Sequence, residues 1–249
     1  MSATAPRGST PARAWLRALE TTTLAARNPE RILPRIAGEW AQRYGGQQAL
    51  LSDRESFTYE ELARRVNRIS RWALANGVAK GETIALVMGN RPDYFAIWLG
   101  LTQIGAVVAL INVNLTGPAL AHCLEVASAR RAIVEDAMSP AFDAAVAGAA
   151  RRFEVWRHGG GAQRFDLAIE TFDGAELGAH ERRDVTLADR ALLIYTSGTT
   201  GLPKAAAISH HRVIGWSHWF AGLANMTSDD RMYDCLPMYH SVGGVAAIG

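Results

Sequence analysis

The chain has 249 residues, 49% of them hydrophobic and 20% charged, and its 26 basic and 24 acidic side chains leave a formal net charge of +2. This is ordinary globular composition with an ample core, enough for one large domain or two small ones, and near-neutral charge gives no argument for a nucleic-acid partner. Cys123 and Cys235 stand in apolar contexts. They are too few for a disulfide framework or a metal knuckle, which points to reduced thiols in a cytosolic setting.

Residues 1–30 read as a flexible tail. Within residues 1–27, Arg7, Arg13, Arg17 and Arg27 are set against one acid, Glu20; such a start suits a transit peptide, although a loose tail is the commoner outcome. From Pro34 to Tyr44 a short helix presents Ile36, Ala37, Trp40 and Tyr44 on one face. Ala49–Leu51 and Ser56–Thr58 flank Asp53-Arg54-Glu55 as a β-hairpin. Thr58-Tyr59-Glu60-Glu61 is a capping box, and the helix it starts turns Leu62, Val66, Ile69 and Trp72 or Ala73 inward before stopping at Asn76-Gly77.

A strand–helix alternation follows. Thr83–Met88 reads as a buried strand, and Pro92 opens a helix that runs to Ile104 and ends at Gly105. Ala106–Ile111 is the next strand, Gly117-Pro118 opens a helix with Leu120, Cys123, Leu124 and Ala127 as its apolar face, and Arg131–Glu135 is a third strand. A helix starts at Ser139-Pro140, and Phe153–Trp156 is a fourth strand. The apolar stretch from Phe95 to Ile111 is interrupted by Thr102, Gln103 and Gly105, so it fits a helix followed by a strand better than a membrane span. The expectation is an α/β fold of partly parallel sheets flanked by helices. Arg157 to Asp189 loses this order and reads as a surface excursion. His210 to Asn225 reads as a broadly apolar, well-buried helix.

Between these last two stretches lies the sequence LLIYTSGTTGLPK, Leu192 to Lys204. An apolar strand feeds Thr196, Ser197, Gly198, Thr199, Thr200 and Gly201, four hydroxyls and two glycines in six residues. Successive backbone N–H groups in such a turn make an anion-binding nest, and Lys204 adds a full positive charge. The stretch reads as a phosphate cradle. It is not a Walker loop, whose lysine directly follows a glycine and opens a helix. Here Leu202 and Pro203 intervene, and Ala205 to Ser209 reads as a strand. The expected shape is a hairpin, with Lys204 and the loop from Thr196 to Gly201 as the phosphate-binding set.

A second informative stretch runs from Tyr233 to Gly244. A strand is expected to lead into a proline-broken turn bearing His240, after which Gly243-Gly244 start a helix. The residues alone leave His240 open between a structural and a site role, with the glycines allowing close approach. His210, His211 and His218 do not make a zinc site: adjacent helical residues point about 100° apart, and no carboxylate stands at ligand spacing.

TSGTTGLPK resembles the signature loop of the adenylate-forming, AMP-binding superfamily of acyl-CoA synthetases, peptide-synthetase adenylation domains and luciferases. FTYEEL and LPMYHSVGG resemble two further motifs of that family. Asn90-Arg91-Pro92, Ala109 to Leu115, His122-Cys123-Leu124 and Lys204-Ala205-Ala206 resemble its fatty acid transport and very-long-chain acyl-CoA synthetase branch. Ala205 departs from the glycine that most members carry after the lysine. The resemblance covers roughly residues 35–249 and implies the N-terminal part of an adenylation domain over residues 31–249. It implies ATP, Mg²⁺ and CoA as reaction partners, the CoA site lying outside this chain, and a fatty acid as substrate. Lys204 and His240 become the catalytic candidates, His240, Gly243 and Gly244 the acyl-substrate candidates, and the Thr199 and Thr200 hydroxyls the candidates for Mg²⁺. It also implies a cytoplasmic enzyme with room for peripheral membrane contact.

The family's adenine, ribose and hinge motifs and its C-terminal catalytic lysine have no counterpart before Gly249. The chain is therefore expected to be the front part of a synthetase, incomplete as a domain and unable alone to form acyl-adenylate. The rival readings are a non-catalytic nucleotide-binding or interaction fragment and, disfavoured by lysine spacing, a P-loop NTPase.

Overall fold

The computed structural model describes residues 10–149, 152–196 and 202–249. Helices α1 (Pro11–Ala26) and α2 (Leu33–Tyr44) precede a small antiparallel hairpin of β1 (Gln48–Leu51) and β2 (Ser56–Thr58), which leads into α3 (Tyr59–Ala75). The capping box at this junction is complete. The Thr58 hydroxyl accepts from the Glu61 N–H at 3.2 Å, and the Glu61 carboxylate accepts from the Thr58 N–H at 2.8 Å, satisfying two donors that a helix start would otherwise leave unpaired.

Next come β3 (Thr83–Val87), α4 (Pro92–Gln103), β4 (Val107–Leu110), α5 (Gly117–Val126), β5 (Arg131–Glu135), α6 (Ser139–Val146), β6 (Glu154–His158) and the short α7 (Phe165–Ala168). After them β7 (Arg190–Thr196), β8 (Lys204–Ser209) and α8 (His210–Ala224) lead to a π-helical segment, Ser241–Ala247. Six strands form one sheet in the order β6-β5-β3-β4-β7-β8. Every neighbouring pair is parallel except β7–β8.

Side chains alternate faces along a strand, and here both faces are dry. Ile84 and Leu86 of β3, Val108 and Leu110 of β4, and Leu192 and Ile194 of β7 enter one core with α2, α3, α4 and α8. Ala85 and Val87, Val107 and Ala109, and Leu193 and Tyr195 enter a second core with α5 and α6. Burial on both sides is why these strands read as continuous apolar runs.

Four expectations need correction. Where a loose tail was expected, Pro11–Ala26 is a helix lying along α8, with Trp15 edge-on to Trp219 at 4.9 Å between ring centroids. The Arg157–Asp189 excursion is not confined to the surface. Phe165, Ile169, Leu177, Val185 and Leu187 are buried in the first core, and Phe165 packs edge-on against Trp72 at 4.8 Å. Residues 233–236 are not a strand; side-chain hydrogen bonds, given below, hold this segment in place of a ladder. Finally, α8 is only partly buried. Val213, Ile214 and Ser217 face inward, whereas Phe220 is exposed. Among the described residues no helix is long and apolar enough to cross a membrane.

Candidate functional site

Strand register fixes what meets at the carboxyl edge of the sheet. Trp156, Ile133, Leu86, Leu110, Ile194 and Ala206 form one row across the six strands. Two residues toward the edge, Glu135 still faces His158 and Thr196 faces Lys204, while β3 and β4 have already ended at Val87 and Leu110. The chain steps from β3 to β4 on one side and returns past β3 to β5 on the other, with α4 covering one face and α5 the opposite one. Crevices at the carboxyl ends of strands, where the chain changes direction in this way, are the preferred ligand sites of open α/β sheets.

Lys204 stands at that edge as the first residue of β8, paired with Thr196, the last of β7. The strand after Lys204 rules out the helix that a Walker loop requires, and the expected hairpin is present. Ser197, Gly198, Thr199, Thr200 and Gly201, expected as phosphate and Mg²⁺ contacts, lie outside the described residues. Lys204 is exposed, and among the described residues it has no ion-pair partner. Both arms of the hairpin are fastened to α5. The Tyr195 hydroxyl donates to the Cys123 carbonyl at 2.7 Å, and His122 Nε2 lies 3.1 Å from the Pro203 carbonyl. Burial pushes the Cys123 thiol up to about 11, so it is a packed, inert sulfhydryl.

His240 reaches the same edge from the other direction. The Asn90 amide, just beyond β3, donates to the Leu236 carbonyl at 2.7 Å and accepts from the Met238 N–H at 2.8 Å. Asn114, beyond β4, donates to the Tyr239 hydroxyl at 3.1 Å. These contacts seat Met238 and Tyr239 in the core and leave the His240 ring exposed, 4.6 Å from that of Tyr239. Gly243 and Gly244 are buried for a local reason. A Cβ on Gly243 would lie 2.6 Å from the Pro237 carbonyl oxygen, and one on Gly244 would lie 2.0 Å from that of Met238. The glycines let the π-helical segment close against the backbone bearing His240.

Beneath this surface is a charged layer invisible to motif reading. Arg91 bridges Glu55 and Glu135, the latter at 2.9 Å, and Glu135 also accepts from the Gly89 N–H. Asp93, in the first turn of α4, receives the Arg65 guanidinium at 2.7 and 2.6 Å and lies 2.6 Å from His158 Nε2. Burial alone would raise the Asp93 carboxyl; the His158 and Arg65 hydrogen bonds outweigh it and bring it down from 3.8 to about 2. Glu55, Asp93 and His158 place ligand atoms within 4.8 Å of one another, the one such metal-capable group among the described residues. Two arginines already engage its carboxylates, so the donor set fits a structural ion-pair network and does not fit Mg²⁺.

His210, His211 and His218 do not converge on one site. His210 is buried, and burial brings it down to about 4. His211 is exposed, and His218 bonds the Ile214 carbonyl in its own helix. In the sequence Asn90, Asn114 and His122 stand only inside family-like stretches and carry no role of their own. Nothing there marks Arg65, Asp93 and His158, which meet across separations of 28 and 65 residues.

The profile of a family described as AMP-binding enzyme matches residues 38–249. Rat long-chain fatty acid transport protein 1 is 34% identical over 241 residues, covering 87% of this chain and 35% of its own length. Rat long-chain fatty acid transport protein 2 is 32% identical over 224 residues, 86% of this chain and 36% of its own. The chain thus spans about a third of the length of these curated relatives. Two solved structures share the fold. Anthranilate CoA ligase AuaEII, in complex with anthranoyl-AMP, superposes with a TM-score of 0.76 at 21% identity, covering 87% of this chain and 44% of that one. The long-chain-fatty-acid-CoA ligase FadD1 of Archaeoglobus fulgidus gives 0.76 at 20% identity, with 89% and 45% covered.

Proposed function

Because this chain belongs to the AMP-binding enzyme family, we propose that it forms the ATP-handling part of an acyl-CoA synthetase that activates a long-chain fatty acid. A carboxylate oxygen attacks the α-phosphorus of ATP, and the bond to pyrophosphate breaks as the acyl-adenylate forms. The CoA sulfur then attacks the acyl carbon, releasing AMP and leaving the thioester. Long-chain fatty acid transport proteins among the relatives support the choice of acyl group.

The observation that carries this reading is the β7–β8 hairpin, which sets Lys204 at the carboxyl edge with no carboxylate paired to it among the described residues. A lysine ammonium there can take up the charge that grows on pyrophosphate as it leaves, a preorganised electrostatic contribution of the kind that dominates phosphoryl chemistry. Amides of the loop from Thr196 to Gly201 share that task. Mg²⁺ bound to the phosphates would neutralise part of their charge, with the Thr199 and Thr200 hydroxyls as this chain's contacts to it. His240, held by the Asn90 and Tyr239 contacts, serves the incoming carboxylate beside Gly243 and Gly244.

The test is calorimetric titration of this chain with ATP, beside Lys204→Ala. Binding that the substitution weakens supports the reading. Binding of equal strength in both proteins contradicts it.

A further inference from the structure

We infer that His122 is a positioning residue for Lys204, fixing the lysine through the carbonyl group that precedes it. The inference rests on the proposed role of Lys204 in holding phosphate, and it adds a residue to which the sequence motifs assign no task.

The geometry is specific. The carbonyl of Pro203 can only accept, so His122 donates to it from a protonated Nε2 at 3.1 Å. Proline lacks an N–H and has a fixed φ, and the β7–β8 ladder begins only at the next residue, where Lys204 faces Thr196. Pro203 is therefore the last link of the loop before β8, and its carbonyl carbon is bonded directly to the Lys204 nitrogen. Moving that carbonyl moves the lysine. On the opposite arm the Tyr195 hydroxyl donates to the carbonyl of Cys123, the residue adjacent to His122. One turn of α5 thus grips both arms of the hairpin.

That turn is itself immobilised. Leu120, Cys123 and Leu124 are buried in the second core, against Ala109 and Val107 of β4 and Leu193 of β7. His122 is the half-buried polar residue among them. An α5 pinned on its apolar side is a rigid reference for the loop, which is what an electrostatic site needs if its charge is to be in place before the phosphate arrives. A residue that served only to stabilise the hairpin would be indifferent to the lysine. A positioning residue acts through it.

The experiment is an ATP-binding cycle on this chain with His122→Ala, His122→Gln, Lys204→Ala and the double substitution His122→Ala/Lys204→Ala, each checked for folding by thermal melting. Loss of one neutral hydrogen bond is expected to weaken ATP binding roughly three- to tenfold. Glutamine can present an amide N–H at the height of Nε2, so His122→Gln is expected to restore most of the affinity. In the Lys204→Ala background His122→Ala is expected to cost nothing further, because its effect runs through the missing ammonium. An unchanged affinity in His122→Ala would overturn the inference, and so would the same loss with and without Lys204. Failure of the unsubstituted chain to bind ATP would instead bring down the functional reading itself, and the positioning role with it.

Discussion

The Asn90 side chain holds the backbone of Met238, accepting its N–H at 2.8 Å, although 148 residues separate the two. The same amide donates to the Leu236 carbonyl. A residue just beyond β3 therefore supplies the hydrogen bonds that a neighbouring strand would otherwise offer, and it fixes where the chain turns toward His240. Asn90→Ala removes both bonds and is expected to cost about 1–3 kcal/mol in urea unfolding. Amide exchange at Met238 should rise while that of β3 stays slow. Equal acceleration in both would mean that the segment and the sheet open together.

Asp93 gives the acid limb of stability. Its carboxyl is lowered from 3.8 to about 2 in the folded protein, so the unfolded chain binds the proton more readily. The stabilisation is fully present above about pH 4 and is lost as pH falls from there through about 2, an effect of about 2 kcal/mol. Asp93→Asn should flatten this limb. At neutral pH it should also destabilise by about 1.5–3 kcal/mol, because Arg65 loses a charged acceptor while keeping Glu170 as its other partner. A variant as steeply acid-labile as the parent would assign the limb to other carboxylates.

Gly244 tests the packing that supports His240. A Cβ there would sit 2.0 Å from the Met238 carbonyl oxygen, a backbone atom that cannot rotate away. Gly244→Ala should cost about 1–3 kcal/mol and displace the π-helical segment, seen as changed amide shifts from Ser241 to Ala247. Gly215→Ala is the control, since a Cβ at that position meets nothing within 4 Å. A Gly244→Ala variant as stable as the control would contradict the close approach.

Much of this fold is legible in the sequence, and the exceptions have physical causes. β3, β4, β5 and β7 announce themselves because burial on both faces leaves an unbroken apolar run at their central positions. The Thr58–Glu61 box and the prolines at the starts of α4, α5 and α6 mark helices locally. Helix α1 escapes because the side chain it buries against α8 is the small Ala18, set against Gly222, while Trp15, which meets Trp219 at its edge, and Leu16 and Leu19 stay largely exposed. The segment from Tyr233 to Leu236 has strand-like residues but pairs with no strand among the described residues. At the site, Lys204 and the hairpin follow from local chemistry. Asp93 with His158, and His122 with Pro203, depend on tertiary closure that no spacing rule encodes.

The central claim, that Lys204 holds the departing pyrophosphate, is tested most directly by single-turnover kinetics of the two half-reactions in an enzyme containing this chain. Lys204→Ala should slow acyl-adenylate formation roughly a hundred- to a thousandfold, about 2.7–4 kcal/mol, with a larger effect on kcat than on KM for ATP. Thioester formation from preformed acyl-adenylate involves no pyrophosphate and should proceed at nearly the parent rate. Equal slowing of both steps would contradict the claim and make Lys204 a structural residue of the hairpin.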